Sequence, residues 1–386
     1  MVHSKEEIKK KNIQRGLEGV VAAHTRVSCV DGVNGCLYYG GYNIHDLAEH
    51  VCFEEIIFLL WNGRLPVAEE LKSFRSMLVS EMRLPSQVVK MMELAPPHAN
   101  PMAVLRTAVS MLSMYDPDAD DISEEANRRK AVRLTAQVPT IIADLHCIRN
   151  RKHVISPDPT VGIAGNFLYM LRGELPAYDE RSVMDVLMML HADHGLNAST
   201  FTGRVITSTL SDMHSGLAGA IGALKGPLHG GANTRVMNML DDIDHPDEVE
   251  EYIQGMLENK EKIMGFGHRV YRTEDPRAKH LRKYSEELCS QKGKERLYEI
   301  SHQIEKNVIE KKGIYPNVDF YSATVQHALG IPTDFFTPVF AAARTPGWIA
   351  HMLEQYNDNR LIRPTSKYET EIGKEFVPID QRSAEG

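Results

Sequence analysis

Three stretches of the chain set histidine, aspartate and arginine beside glycine or proline. They are Gly226-Pro-Leu-His229-Gly-Gly, Gly265-Phe-Gly-His268-Arg-Val-Tyr-Arg272-Thr-Glu-Asp-Pro-Arg277 and Pro316-Asn-Val-Asp319-Phe-Tyr-Ser322. Histidine can give or take a proton near neutral pH, a carboxylate can act as a base, and arginine grips carboxylate or phosphate. These residue types suit acid–base chemistry on an anionic substrate. Any one stretch taken alone also reads as an ordinary turn with a satisfied His or Asp.

Competing chemistries lack their sequence support. No G-x-S-x-G elbow accompanies the loop at Gly226, so a hydrolase oxyanion loop is not expected. Gly265-Phe-Gly-His268 lacks the third glycine of a dinucleotide fingerprint, and no phosphate loop of the G-x-x-x-x-G-K-[ST] type occurs. Asp116-Pro-Asp-Ala-Asp-Asp121 imitates half a calcium loop, but Asp121 stands where glycine is required and Asn127 where glutamate is. It reads as an acidic surface loop. His191 and His194 stand three apart without an HExxH motif or an obvious carboxylate partner, so no metal site is expected.

Lys plus Arg number 44 against 52 Asp plus Glu, a formal charge of −8, which argues against general nucleic-acid binding. No run approaches the roughly 18 apolar residues of a membrane span. The first residues lead into Lys9-Lys-Lys11, unlike a secretory signal. Cys29, Cys36, Cys52, Cys147 and Cys289 are scattered without a CxxC pair, as expected of reduced thiols in a cytoplasmic protein.

The elements that must hold these motifs are mostly helices. Asn100-Pro101 is a cap followed by proline at the first helical position, and Met102, Leu105, Val109 and Leu112 follow at helical spacing. Similar runs cover 53–61, 125–149, 161–171, 180–191, 199–224, 248–257, 297–311 and 338–356. Strand signal is confined to 25–30 and 36–39, flanking the turn-rich Asp31-Gly-Val-Asn-Gly35. The fold class expected is all-α with a minor N-terminal β-hairpin. Dense glycine after residue 215 suggests close helix packing or a bend.

Taken together and in this order, the three motifs resemble the citrate synthase family. The resemblance extends to Arg15-Gly-Leu-Glu-Gly-Val-Val21, Tyr39-Gly-Gly-Tyr42, His191-Ala-Asp-His194-Gly-Leu-Asn197-Ala-Ser-Thr200 and Arg360-Leu-Ile-Arg363-Pro. It implies a two-domain helical homodimer: a large domain from residues 1–221 and 331–386, the latter with a C-terminal arm, and a small domain over 222–330. It also implies the roles. His229 would hydrogen-bond the acetyl-CoA thioester oxygen, Asp319 would remove a methyl proton, and His268 would donate to the keto oxygen of oxaloacetate. His194, Arg277, Arg344 and Arg363 would clamp the dicarboxylate, with Asn197 beside them and Arg363 reaching the partner's site. Arg272 would contact CoA phosphate, and Ile263, Met264, Gly265, Phe266 and Gly267 would form part of the adenine site.

These residue types fit that reaction. A methyl beside a thioester is a weak acid, so donors must stabilise charge developing on the thioester oxygen, each worth about 2.7–4 kcal/mol. Two carboxylates on oxaloacetate explain several arginines in an acidic protein. No resident cofactor is implied, CoA being a co-substrate. The motifs do not separate citrate synthase from 2-methylcitrate synthase, which uses propionyl-CoA, because one methylene is worth only about 1–3 kcal/mol. A non-catalytic helical scaffold would be favoured by loss of His229, His268 or Asp319, and all three are present.

Overall fold

The computed structural model describes residues 13–383. They fall into two units. One comprises the described parts of the two ends, 13–24 and 362–383, with single 3-10 turns at Arg15–Leu17 and Ile379–Gln381. The other, Thr25–Leu361, holds every strand and α-helix among the described residues.

That unit opens with a small antiparallel sheet in the order β1 (Ser28–Asp31), β2 (Cys36–Tyr39), β3 (Tyr42–Asn43). The register pairs Ser28 with Tyr39 and Asp31 with Cys36, so the expected hairpin is present with a short third strand added. Sixteen α-helices follow among the described residues, which bears out the all-α class expected, although the runs at 44–50, 68–80, 86–94, 232–241, 276–291 and 318–328 were not among those read as helical. The first five are α1 (Ile44–His50), α2 (Phe53–Asn62), α3 (Ala68–Ser80), α4 (Ser86–Leu94) and α5 (Pro101–Leu112). After them come α6 (Glu124–Arg149), α7 (Ile163–Arg172), α8 (Tyr178–His191), α9 (Ala198–Thr207) and α10 (Met213–Leu224). The chain continues through α11 (Ala232–Asp241), α12 (Val249–Glu258), α13 (Pro276–Gln291), α14 (Glu295–Lys312), α15 (Val318–Ala328) and α16 (Phe336–Asn357). Helices α6 and α16 pack together and are buried round most of their circumference, which makes them the centre of the unit.

The run expected as one helix over 199–224 is instead two, α9 and α10. Leu210 takes a left-handed φ of 64°, and the Asp212 side chain accepts from Ser215 N at 2.9 Å to start a new helix. A capping side chain outcompetes continuation of an apolar pattern here. The dense glycines have the packing role expected: a Cβ at Gly216 or Gly219 would run into Thr207 or Ile206 of α9.

A half-buried and a buried acid cap neighbouring helices. Asp185 of α8 accepts from Phe53 N at the start of α2, and Glu54 of α2 accepts from Ile163 N at the start of α7. Burial, and then the nearby Glu54 charge, push the Asp185 carboxyl up to about 7. A cavity of about 470 Å³ beside them is lined by Cys52, Arg75, Arg181 and their neighbours, and by none of the residues of the three motifs.

The loop at Asp116 is an acidic turn as expected, with two of its carboxylates paired to arginines. Asp116 and Asp118 are both bound by Arg133, at 2.6 and 2.5 Å, and Asp118 also by Arg129 at 2.6 Å. The buried His214 lies 3.3 Å from Asp116 and 3.6 Å from Asp212. Burial disfavours its charge, but these two carboxylates outweigh that and raise its pKa, while its proton helps to hold Asp116 down at about 2. Such a histidine stabilises the fold fully below its unfolded pKa, about 6.5, and loses that effect as pH rises through the higher folded value. His214→Gln is therefore expected to cost about 2 kcal/mol in denaturant unfolding near pH 5.5, with the deficit shrinking at higher pH. A deficit that stays constant from pH 5.5 to 9 would contradict the charged state.

Candidate active site

His268 follows the loop 263–267, and Asp319 lies in the first turn of α15; the backbone ties these two together. Gly267 N donates to Tyr315 O at 3.0 Å, Asn317 N donates to Gly265 O at 2.8 Å, and Phe266 bridges to Pro316. Asn317 completes the join: its Nδ2 donates to Gly267 O at 2.9 Å and its Oδ1 caps α15 through Asp319 N at 3.0 Å. The Phe266 and Phe320 rings pack at 4.7 Å behind this junction.

The tautomer of His268 follows from its neighbours. Its Nδ1 accepts from Val270 N at 3.0 Å and Tyr271 N at 3.1 Å, so the proton of the neutral ring sits on Nε2. Burial and the Arg277 charge lower its pKa to about 4, which keeps it neutral near pH 7. His268 is thus a fixed Nε2–H donor. Beside it stand His194, at 5.1 Å between ring centroids, and Tyr271, whose hydroxyl lies 3.1 Å from His194 Nε2. Burial first, then Arg277, holds His194 neutral as well.

His194 occupies the turn between α8 and α9, and the N-terminal sheet builds that turn. The Tyr39 hydroxyl donates to Asp193 O at 2.8 Å and accepts from Asp193 N at 3.1 Å. Gly195 N donates to Ser28 Oγ at 3.1 Å and to Asp193 Oδ2 at 2.9 Å. Helix α16 closes the other side with His351, 3.3 Å from Asp193. Gly347 permits this approach, since a Cβ there would collide with the Ala192 carbonyl. Asn197 is spent on the cap of α9, its Oδ1 accepting from Ser199 N and Thr200 N at 3.1 Å.

His229 rides a tight turn in which His229 N and Gly230 N both donate to Gly226 O at 2.9 Å. A side chain at Gly230 would strike the Leu224 carbonyl. Its Nε2 lies 2.7 Å from Ser199 Oγ, which also accepts from Trp348 Nε1 at 3.1 Å. Ser199 Oγ also lies 2.7 Å from Asn197 Oδ1, and its one proton serves only one of these neighbours; when it turns to His229, Nε2 accepts and Nδ1 carries the ring proton. Burial, then Arg344 and Arg269, lower this ring to about 4, so it too is neutral.

Two guanidinium groups act on these histidines through their charge. Arg277 is gripped through Nε and Nη2 by Asp275 at 2.9 and 2.7 Å, and Arg344 donates from Nε to His191 O while lying over the Phe340 ring. Among the described residues the remaining Nη1 of Arg277 and both terminal nitrogens of Arg344 have no partner, an arrangement suited to receiving carboxylates. Asp319 receives no side-chain hydrogen bond among the described residues. Burial pushes its carboxyl up to about 6 against the pull of Arg277. A carboxylate of raised pKa that makes no side-chain hydrogen bond is equipped to move a proton.

Of the residues singled out in the sequence, the structure brings His194, His229, His268, Arg277, Asp319 and Arg344 into one electrostatically coupled group. Ile263, Met264, Gly265, Phe266 and Gly267 form the adjoining loop, and Arg272 lies exposed beyond it with its N donating to Gly32 O at 2.8 Å. Arg363 is exposed and belongs to the terminal unit. Sequence reading passed over Ser199, Tyr271, Asp275 and Asn317, although all four lie inside the quoted motifs; cap positions one or two residues from a catalytic candidate were the available signal.

Over residues 16–365 the chain matches the family described as "Citrate synthase, C-terminal domain". It is 50% identical over 370 residues to citrate synthase 2 of Bacillus subtilis, covering 96% of this chain and 99% of that one. The chain belongs to the citrate synthase family. Within that family it is also 42% identical over 378 residues to 2-methylcitrate synthase 2 of Corynebacterium glutamicum, covering 96% and 98% of the two chains. Its fold superposes, with a TM-score of 0.91 and 34% identity, on the Thermoplasma acidophilum citrate synthase solved with carboxymethyl coenzyme A and oxaloacetate, covering 96% and 100%. Citrate synthase family membership makes the chain a carbon–carbon bond-forming enzyme of the acyltransferase type. A non-catalytic scaffold loses its ground accordingly.

Proposed function

We propose that this chain condenses acetyl-CoA with oxaloacetate and water to give citrate and CoA. One observation carries the reading: two neutral histidines and an aspartate of raised pKa without a side-chain hydrogen bond share the field of Arg277 and Arg344, whose terminal nitrogens are not all taken by the protein. Arg277, Arg344 and His194 hold the carboxylates of oxaloacetate. Asp319 takes a proton from the acetyl methyl while His229 donates to the thioester oxygen, so the developing enolate never stands as a bare anion. The enol carbon attacks the keto carbon of oxaloacetate, and His268 Nε2–H donates to the oxygen that becomes alkoxide. Hydrolysis of the resulting thioester releases citrate and CoA. Neutral histidines suit this sequence because each donates without first needing a proton from solvent.

Arg272 and the loop 263–267 are assigned to CoA, and neither metal nor resident cofactor enters the reading. Residues 222–330 are proposed as a mobile small domain between two parts of a large one. We further place the chain in the cytoplasm as a homodimer in which Arg363 serves the partner's site.

The second reading, 2-methylcitrate synthesis from propionyl-CoA, is favoured by the 42% identity to the Corynebacterium enzyme. The test is thiol release from each acyl-CoA with oxaloacetate. We expect kcat/KM for acetyl-CoA to exceed that for propionyl-CoA by about tenfold or more, the discrimination one methylene allows. A preference for propionyl-CoA would give the second reading the site, and no thiol release from either would remove both.

A further inference from the structure

Asp275 makes more bonds than a helix cap requires. Its Oδ1 accepts from Arg277 N at 3.1 Å, the usual capping bond of α13, and from Arg277 Nε at 2.9 Å. Its Oδ2 accepts from Arg277 Nη2 at 2.7 Å and from Val318 N at 3.2 Å. Val318 is the first residue of α15, and Asp319 is the next. One carboxylate, 1% exposed, therefore touches both the guanidinium offered to the substrate and the helix start that presents the base.

We propose that Asp275 is a positioning residue that couples the oxaloacetate clamp to the general base, fixing Arg277 and the first turn of α15 on one anion. The proposal rests on the roles given above to Arg277 and Asp319. Geometry supplies two consequences. A bidentate acid leaves Arg277 only its outer edge, aimed away from Asp275, so the substrate carboxylate meets a guanidinium that cannot rotate. The bond to Val318 N ties α15 to α13, so a displacement of Arg277 is felt at Asp319.

The charge has a third consequence. The groups acting on Asp319 are Arg277 and Asp275 at the start of α13, Arg344 of α16 and Arg235 of α11. Among them Asp275 alone raises the Asp319 pKa, and it also offsets the Arg277 charge that lowers it. Asp275 thus keeps the base basic while it keeps the clamp straight.

Wild-type thiol release is measured first; its absence would refute the proposed reaction and not the role of Asp275. In an active enzyme, Asp275→Asn is expected to raise the KM for oxaloacetate by about tenfold or more. It is also expected to move the acid limb of kcat/KM down by about half a pH unit or more, because Asp319 becomes the stronger acid. A loss of folded protein alone would lower activity without moving that limb. Asp275→Glu keeps the charge and misplaces it, so its KM should rise while the acid limb stays near the wild-type position. This second variant decides the matter if Asp275→Asn does not fold, as circular dichroism would report. An Asp275→Asn enzyme with wild-type KM and acid limb would overturn the proposal, as would a folded Asp275→Glu with unchanged KM.

Discussion

Asp319→Asn is expected to lower kcat by about 100- to 10,000-fold while leaving oxaloacetate binding intact, the range lost when a general base is removed. The amide occupies the same place at the start of α15, and Asn317 still caps that helix, so the local backbone should persist. Arg277, Arg344 and His194 keep their own supports, in Asp275, the His191 carbonyl and the Tyr39-bound turn. What is lost is the ability to accept the methyl proton. Stability should move the other way. The folded pKa of Asp319, about 6, lies above its ordinary value, so ionisation costs the native state stability as pH rises toward and through that value. At neutral pH the Asn variant should therefore unfold no earlier than wild type and can unfold later. Calorimetric titration with oxaloacetate, a thiol-release assay and a denaturant midpoint cover the three claims. Near-normal kcat in the folded variant would remove Asp319 from the role of base.

Mixing two dead variants is expected to restore up to about half of wild-type activity, if sites act independently. Under the proposed shared site, Asp319→Ala disables a chain's own centre and Arg363→Ala disables the neighbour's. A mixed dimer then carries one doubly damaged centre and one intact one. Were Arg363 to serve its own chain, every centre would carry one lesion and mixing would restore nothing. The motivating feature is an arginine exposed in the terminal unit, in a stretch that resembles the family's arginine–proline tail. Co-refolding, mass spectrometry of the mixed dimers and a thiol-release assay make the measurement. Confirmed mixed dimers without recovery would sink the shared site.

Much of this protein is readable from local pattern. The cap and proline at Asn100-Pro101 start α5 as expected, with Asn100 Oδ1 accepting from Met102 N at 3.0 Å. Runs at 53–61 and 125–149 match α2 and α6 to within a residue at either end. Less legible were α13 and α15, which begin at the aspartate and asparagine caps of motifs read only for chemistry. Their polar, short-range signal competes poorly with apolar periodicity when the eye follows hydrophobic spacing. The acidic stretch at 116–121 is the loop expected, but its ion partners Arg129, Arg133 and His214 lie 11 or more residues away and were not legible from any loop motif.

By itself the sequence determined which side chains are available for chemistry and that they would be carried on helices, because residue type and helical period are local properties. It also determined the pairing of glycine and proline with His229, His268 and Asp319, since tight turns need those residues wherever they fall. Even the tautomer of His268 is set locally, by Val270 N and Tyr271 N two and three residues on, whereas the joining of distant segments belongs to the tertiary structure. It alone decided that the hairpin serves the site, through a Tyr39 hydroxyl meeting Asp193 across 154 residues of chain. The same holds for Asp275, whose bond to Val318 N spans 43 residues. Contacts at such separations depend on how the helices pack, and packing is settled by summed burial over the whole core, not by any short segment that can be read in advance.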